Sequence, residues 1–169
     1  MNNKTYITFK EHSALNKTII RLRSLPLIII YMAAIIVFTA YGIWVKNWII
    51  SGVGISICVI FPLITFLYLN KKIKDTYKQS KEIYDKIHYE FTFNEDSVEC
   101  VLIQDNTKNS ITKKYEELNS VIETKDFIFI FIDNKRAYIV DINGFDNFDR
   151  VEFRSIVQTK TKKYKILGR

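Results

Sequence analysis

Residues that could carry metal or nucleophilic chemistry are few in this sequence and widely separated. His12 and His88 are the two histidines, and neither has a cysteine or a set of carboxylates nearby at metal-ligand spacing. Cys58 lies inside a long apolar run, and Cys100 lies on the apolar face of a predicted strand. We therefore expect two packed free thiols and predict no disulfide, no metal site and no cofactor.

Carboxylates are the other candidates, as general acids or bases. Glu95 with Asp96 and Glu116 with Glu117 form adjacent acidic pairs, but both pairs fall in predicted turns. A catalytic carboxyl group needs burial or a close like charge to shift its pKa, whereas acidic residues in turns usually serve solubility. The glycines do not follow the spacing of a phosphate-binding loop either. The sequence therefore predicts no catalytic residues and a protein that is not an enzyme.

Two long apolar runs occupy most of the second quarter of the chain. Residues 25–45 and 48–69 contain no Asp, Glu, Lys, Arg or His. At a rise of about 1.5 Å per residue, each run is long enough to cross a hydrocarbon core of about 30 Å as a helix. Only Lys46 and Asn47 separate the runs, so the two helices must be antiparallel neighbours. The sequence predicts a transmembrane helical hairpin over residues 25–69.

The positive charge of the chain gathers beside these runs. The formal net charge is +7, and the residues expected at the membrane surface are Arg21, Arg23, Lys71, Lys72 and Lys74. Such flanks are typical of cytoplasmic segments and suit anionic lipids. A nucleic-acid-binding domain would instead show a basic stripe with interleaved aromatic residues. We predict a multi-pass protein of the cell membrane with both termini in the cytoplasm, with the lipid bilayer and not nucleic acid as a partner.

Small residues in the second run could bring helices together. Gly52 and Ser56 lie four residues apart, as do Gly54 and Cys58, and this spacing lets two helix backbones approach closely. One interpretation is packing within the hairpin, against Ala33, Ala34 and Ala40 of the first run. The other is an interface between two copies of the chain, which would make the protein a homo-oligomer. We favour packing within the hairpin and leave the second interpretation open.

The segments that flank the hairpin are predicted to lie in the cytoplasm. Residues 5–10 alternate in polarity like a short strand, and residues 12–24 suit an amphipathic helix that leads into the membrane. Together they make an N-terminal segment over residues 1–24. After the second run, residues 70–86 are polar, basic and helix-favouring, and we expect them to extend the second helix as a juxtamembrane stalk.

The last part of the chain, residues 87–169, changes to the two-residue alternation of β-strands. Residues 127–132 are apolar on both faces and predict a central strand, and residues 137–140 predict its hairpin partner. A final helix is expected to begin near Asp146 or Asn147, either of which can cap it. Strands followed by one closing helix indicate an α+β domain.

A resemblance to a known family lies in the run from Tyr115 to Phe145, which reads YEELNSVIETKDFIFIFIDNKRAYIVDINGF. An aromatic-then-acidic segment, the sequence VIETKDFIFIF and a hairpin returning through AYIV resemble the YcxB-like family of bacterial membrane proteins. Members often carry an aromatic residue, frequently tryptophan, at or beside the position of Tyr115 and a proline near that of Asp141. This chain has the aromatic residue and departs from the family at Asp141.

The resemblance implies two membrane spans followed by a small domain similar to a pleckstrin-homology (PH) fold, which is a strongly bent antiparallel sheet closed by a C-terminal helix. It implies no catalytic residues, because the family has no generally accepted activity. The predicted fold class is thus an α+β membrane protein, with a two-helix transmembrane hairpin and a PH-like antiparallel β domain closed by a C-terminal helix.

Three functions are compatible with these features. The first is a membrane-anchored, non-enzymatic interaction or regulatory protein whose cytoplasmic PH-like domain binds an unidentified protein partner or anionic lipid headgroups, using an exposed sheet edge. The second is an immunity or self-protection protein against a membrane-acting toxin or bacteriocin. The third is a component of an oligomeric channel, although the runs contain none of the charged residues that line most ion pathways.

Overall fold

A computed structural model describes residues 1–105, 107–133 and 136–167 of the chain. The side chains of Arg23 and Leu25 also lie outside the described part. The surface role predicted for Arg23 therefore falls on a side chain that is not described.

The chain divides into two compact units, and each has its own architecture. The hairpin unit comprises residues 16–78, and the domain unit comprises residues 1–15 together with residues 79–169. The sequence predicts a domain that starts at residue 87. The domain unit includes the N-terminal residues as well, because they supply its first strand.

The residues of the hairpin unit belong to two long helices, α1 (Phe9–Trp44) and α2 (Trp48–Tyr84). Each helix is continuous through one proline, Pro26 in α1 and Pro62 in α2. The segment Pro26–Trp44 and the helix α2 are both long and apolar enough to cross a membrane. The predicted amphipathic helix and the predicted stalk are the outer turns of these same two helices, not separate elements.

The turn between α1 and α2 needs only Val45, Lys46 and Asn47, because these residues also complete the end of one helix and the start of the next. Lys46 adopts a left-handed φ of 56°, its N–H donates to Ile43 O at 3.1 Å, and the N–H of Asn47 donates to Gly42 O at 2.9 Å. These two bonds form a Schellman motif that satisfies the last carbonyls of α1. The side chain of Asn47 then accepts from the N–H of Ile49 at 3.1 Å and caps α2.

The first strand and the start of α1 lie earlier than the alternation of residues 5–10 predicts. The strand β1 spans Asn2–Tyr6, and α1 follows after two residues. The N–H of Thr8 donates to Glu11 Oε2 at 2.8 Å, its hydroxyl donates to the same oxygen, and the N–H of Lys10 donates to Thr8 Oγ1 at 3.2 Å. This capping box fixes a helix start where polarity alone suggested a strand.

The described residues of the domain unit form two four-stranded sheets and one helix. The first sheet has the order β1-β2-β3-β4 and is antiparallel throughout. Its remaining strands are β2 (Ile87–Phe93), β3 (Ser97–Gln104) and β4 (Thr107–Lys114). The second sheet has the order β7-β6-β5-β8, in which only the β5–β8 pair is parallel. Its strands are β5 (Ser120–Glu123), β6 (Phe127–Phe131), β7 (Ala137–Asp141) and β8 (Tyr164–Ile166).

The strands that precede and follow the two long helices are neighbours in the first sheet. β1 pairs with β2 in a register that joins Tyr6 to His88 and Asn2 to Thr92. The hairpin is therefore an insertion between two paired strands of one domain. The sequence did not predict this pairing, because β1 and β2 are separated by about eighty residues.

A single main core lies between the two sheets and the last helix, α3 (Arg150–Val157). β6 is buried along its whole length, as its apolar pattern predicts. Its Ile128 and Ile130 belong to the main core, and Phe127 and Phe129 occupy its opposite face. The prediction of a central strand with β7 as its hairpin partner is confirmed.

The prediction that α3 is capped by Asp146 or Asn147 was wrong. The cap is Asp149, whose side chain accepts from the N–H of Val151 at 2.7 Å. The residues before Asp149 stay non-helical because the ring of Phe148 stacks on the ring of the buried Phe145, with 4.6 Å between the ring centroids. Aromatic burial thus decides the helix start among three residues that could all serve as caps.

Candidate interaction edge of the first sheet

The two sheets have four outer strands, and three of them offer little free edge. β1 and β7 cover each other, since the side chain of Asn3 donates to Asp141 O at 2.7 Å and the N–H of Asp141 donates to Thr5 Oγ1 at 2.9 Å. Thr5 also donates to Asn3 Oδ1 at 2.7 Å, and Asn3 forms a bridge with Phe145. β8 is only three residues long. The remaining outer strand is β4, with eight residues.

The backbone of β4 presents unpaired hydrogen-bonding groups on one side. The N–H of Tyr115 donates to Asp96 O at 3.2 Å, so Tyr115 and Asp96, which lie opposite each other just beyond the β3–β4 ladder, form a hydrogen-bonded pair. In an antiparallel ladder, hydrogen-bonded and non-hydrogen-bonded pairs alternate. With the observed register, every second residue of β4 therefore bonds to β3, namely residues 107, 109, 111 and 113. The N–H and C=O groups of the other four residues point away from the sheet. These are Lys108, Ser110, Thr112 and Lys114.

The side chains of β4 are polar, basic and exposed, apart from the half-buried Lys113. Lys113 forms an ion pair with Glu117 at 3.7 Å. Among the described residues neither Lys108 nor Lys114 has an ion-pair partner. Ile111 is opposite the buried Cys100 and is itself 48% exposed. A strand with these properties can accept an extended segment from another chain.

A buried carboxylate is the site feature that the sequence analysis missed. Glu123 is 0% exposed and accepts from Arg154 at 2.8 Å on both oxygens, from Arg150 at 3.2 Å and from the Tyr164 hydroxyl at 2.5 Å. Arg150 also donates to the Lys125 carbonyl. These hydrogen bonds and ion pairs hold α3 and β8 against β5, so the role of Glu123 in the domain is structural.

The electrostatics of this network favour an ionised Glu123. Burial alone would raise the pKa of the carboxyl group, but the hydrogen bonds from Arg154 and Tyr164 and the charges of Arg154 and Arg150 outweigh burial and lower the pKa below its usual value. In return the buried hydroxyl of Tyr164 has its pKa raised, by burial and by its bond to Glu123. One sequence signal could have indicated the network: Arg150 and Arg154 are four residues apart and so share one helix face.

Cys100 and His88, two of the residues considered for chemistry at the outset, are engaged with neighbouring side chains. Cys100 is 4% exposed, and burial raises the pKa of its thiol to about 12 despite a hydrogen bond with Tyr138. A thiol in this state is a poor nucleophile. His88 stacks on Tyr6 at 5.3 Å, and its Nε2 is 3.8 Å from Glu90 Oε1. No cluster of three potential metal ligands occurs within the described ranges.

The basic residues predicted at a membrane surface lie on the two long helices. Arg21 is on α1, and Lys71, Lys72 and Lys74 are on α2; all four side chains are exposed. Ile73, between the lysines, is buried. The contact of these basic side chains with lipid stays a prediction.

Gly52 and Ser56 do not pack against α1. A side chain at Gly52 would have no atom within 4 Å, and the Ser56 hydroxyl donates to Gly52 O of its own helix at 2.8 Å. The buried small residues of α2 are Ser51, Gly54 and Cys58. Because an α-helix turns about 100° per residue, Gly54 lies on a different face from Gly52. Packing within the hairpin therefore holds for Gly54, which lies against Phe38, but not for Gly52 and Ser56. An interface between two copies stays a prediction.

The helix contact of the hairpin unit depends on Gly54, which lies against Phe38. A Cβ at Gly54 would lie 2.6 Å from Phe38 Cδ1 and 2.8 Å from Phe38 Cβ. Ser51 supports the same contact by donating to Phe38 O at 3.3 Å. We expect Gly54→Ala to lower hairpin stability by about 1–3 kcal/mol, since the aromatic ring must move.

The matched control for that substitution is Gly52→Ala, which changes the same helix by the same methyl group in open space. Both variants can be compared by denaturant titration of the full chain in detergent micelles, followed by the fluorescence of Trp44 and Trp48. Equal stability of the two variants would contradict the observed packing of the hairpin.

Comparison with known proteins gives one match. The family model described as YcxB-like protein matches residues 93–157, which run from the last residue of β2 to the end of α3. No curated protein and no solved structure matches the chain. The resemblance identified from the run between Tyr115 and Phe145 is thereby confirmed, and the matched region contains the edge strand β4.

Proposed function

We propose that this chain, YcxB-like over residues 93–157, is a membrane-anchored, non-enzymatic interaction or regulatory protein. Its hairpin lies in the cell membrane and its PH-like domain lies in the cytoplasm, where it binds a protein partner. The observation that carries the proposal is the exposed edge of β4. This edge offers four residues with unpaired backbone groups, on the longest outer strand among the described strands of the domain unit.

Membrane anchoring is supported by length, composition and charge. The two long helices contain segments with mean hydropathies of 2.2 and 2.4, and the turn between them holds only Val45, Lys46 and Asn47. Lysine and arginine are concentrated on the segments outside the hairpin, which favours a cytoplasmic position for both termini. In a hydrocarbon environment the backbone groups of both helices would be satisfied internally.

The PH-like description is supported by the order of elements. Seven strands of the two mostly antiparallel sheets precede the helix α3, whose Phe153 and Val157 are buried in the core between the sheets. The predicted closing helix is not the last element, because the short strand β8 follows it and pairs with β5. Fold alone does not name the partner, because function depends on the particular site and not on the fold that carries it.

The proposal is tested by site-specific photocrosslinking in living cells of the native host. A photoreactive amino acid replaces Thr112, whose backbone faces away from the sheet. We expect a discrete crosslinked protein, and we expect it to disappear when Ser110→Pro removes an outward-facing N–H without removing a bond to β3. Placing the same photoreactive residue at the exposed Thr159 is the control. Crosslinking that survives Ser110→Pro, or that is equal at both positions, would reject β4 as the binding edge.

An immunity function is the second candidate, and it would place the activity in the hairpin. The observation in its favour is that Trp44 and Trp48, beside the turn, are 79% and 71% exposed. If the protein protects against a membrane-acting toxin, Trp44→Ala with Trp48→Ala should abolish protection and Ser110→Pro should not. The opposite pattern would assign the activity to the domain. Ion conductance of the reconstituted protein would instead support a channel.

A further inference from the structure

We infer that the segment bound at β4 is acidic: an extended strand with a carboxylate side chain at each end of a seven-residue span and an apolar residue at its centre. This inference rests on the proposed function, because it assumes that β4 is the binding edge. The inference adds the chemistry of the partner, whereas a free strand edge by itself can pair with any extended segment. A strand of this pattern would continue the first sheet beyond β4.

The backbone of β4 fixes which residues can pair with a new strand. The outward-facing groups belong to Lys108, Ser110, Thr112 and Lys114, so an added strand forms its hydrogen-bonded pairs with these four residues. Both ends of the available ladder are therefore lysines. Directly opposed side chains in such a pair have Cβ atoms about 4.5–5.5 Å apart, close enough for a carboxylate to reach each ammonium group.

The two faces of β4 then fix the spacing between the acidic and the apolar residues of the partner strand. Lys108 and Lys114 lie on one face, and Ile111 lies on the other face, midway between them, beside the buried Cys100. Because the added strand alternates in the same way, its residue opposite Ile111 is three positions from each residue opposite a lysine. The pattern is acidic-x-x-apolar-x-x-acidic, and it reads the same for a parallel or an antiparallel strand.

Other acidic groups near β4 leave the two end lysines available. Glu117 is paired with Lys113 on the face of Ile111. Glu99 lies on the lysine face but is directly opposite Thr112 on the neighbouring strand. The lysines at the ends of β4 therefore keep a local positive charge that an incoming strand can neutralise.

A second copy of β4 is a poor occupant of the same edge. The antiparallel register that uses all four outward-facing residues pairs Lys108 with Lys114 at both ends of the strand. Like charges directly opposite each other are destabilising, and lysines on an outer strand are a common device against self-association. The same two lysines thus exclude self-pairing and favour a partner of opposite charge.

The test is a peptide-binding measurement on the full chain in detergent micelles. The probe is a fluorescent nine-residue peptide with the sequence Thr-Asp-Thr-Ser-Val-Thr-Ser-Asp-Thr, and its match has lysine at both aspartate positions. We expect the acidic peptide to bind at least tenfold more tightly, by fluorescence anisotropy, than the basic one. Lys108→Glu with Lys114→Glu should reverse that preference. Hydrogen exchange of residues 107–114 should slow when the acidic peptide is bound.

The matched control is Lys162→Glu with Lys163→Glu, which makes the same change of charge at two exposed residues that precede β8 of the second sheet. We expect this variant to keep the preference for the acidic peptide. The inference is overturned if both peptides bind equally, if neither binds, or if the control variant reverses the preference as fully as the β4 variant. It is also overturned if the photoreactive residue at position 112 joins two copies of the chain.

The two proposals can fail separately. If crosslinking at position 112 depends on Ser110 but is unchanged by Lys108→Glu with Lys114→Glu, β4 is the binding edge and the acidic partner is rejected. If crosslinking is insensitive to Ser110→Pro, the binding edge itself is rejected, whichever peptide binds in micelles.

Discussion

Replacing Glu123 with glutamine is expected to lower the free energy of unfolding of the domain unit by about 3 kcal/mol. The substitution keeps the shape of the side chain but leaves the guanidinium groups of Arg150 and Arg154 without their buried counter-charge. Removing one partner of a buried ion pair typically costs about 3–5 kcal/mol, and the glutamine amide recovers part of this by hydrogen bonding. The result would show as faster hydrogen exchange of β5 and β8 in the full chain.

A matched control for Glu123→Gln is Glu152→Gln, which removes a carboxylate from the exposed face of α3. Its effect should be within about 0.5 kcal/mol of zero. An equal loss in both variants would mean that net charge, and not the buried network, stabilises the domain.

The same network predicts how the domain responds to acid. The pKa of Glu123 is lower in the folded chain than its ordinary value of 4.5, so the folded state holds this proton less tightly than the unfolded state. The corresponding stability is fully present above pH 4.5 and is lost as the pH falls through the folded pKa. Between pH 6 and pH 3 we expect the unmodified chain to lose more stability than Glu123→Gln. Parallel losses would contradict an ionised Glu123.

Replacing Gly144 with alanine is expected to destabilise the domain unit by about 2–3 kcal/mol. A Cβ at this position would overlap the carbonyl oxygen of Lys4 and approach the side chain of Asn3 at 3.1 Å. The obstacle at Lys4 is backbone, so relief requires that β1 moves away from the turn at Ile142–Gly144. Forcing extra volume into a tight contact typically costs about 1–3 kcal/mol, and here it also strains the hydrogen bonds between Asn3, Thr5 and Asp141.

Gly144→Ala can be measured by hydrogen exchange of β2, which loses its outer neighbour when β1 detaches. Asn147→Ala, at an exposed position a few residues later, is the control. If the hydrogen-exchange protection of β2 is unchanged in Gly144→Ala, the close contact between β1 and Gly144 does not stabilise the position of β1.

Elements with a strong local pattern could be predicted from the sequence. The two long helices follow from residues 25–69, where length and the absence of charge leave few alternatives. β6 follows from six consecutive apolar residues, 127–132, a length that favours a strand covered on both faces. These features depend on neighbours along the chain, and periodicity reports such neighbours well.

Features that depend on distant partners could not be predicted in the same way. The pairing of β1 with β2 joins residues on either side of the hairpin, and the parallel pairing of β5 with β8 joins Glu123 to Ile166. Glu123 itself follows two apolar residues and gives no local sign that two arginines and a tyrosine converge on it.

The candidate edge was predictable as a type of surface but not as a particular strand. Which edge is free depends on how β1, β7 and Phe145 close the other side of the domain, and no local pattern contains that information. The register of β3 with β4 is set locally, by the short connection that places Gln104 opposite Thr107.

The central proposal, that the hairpin crosses the membrane and the domain unit lies in the cytoplasm, is tested most directly by cysteine labelling in intact cells. In a chain with Cys58→Ala and Cys100→Ala, a membrane-impermeant maleimide is applied to the variants Asn47→Cys and Lys162→Cys. We predict that the Asn47→Cys variant is labelled in intact cells and that the Lys162→Cys variant is labelled only after the membrane is permeabilised. Labelling of Lys162→Cys in intact cells, or recovery of the chain in the soluble fraction without detergent, would contradict the claim.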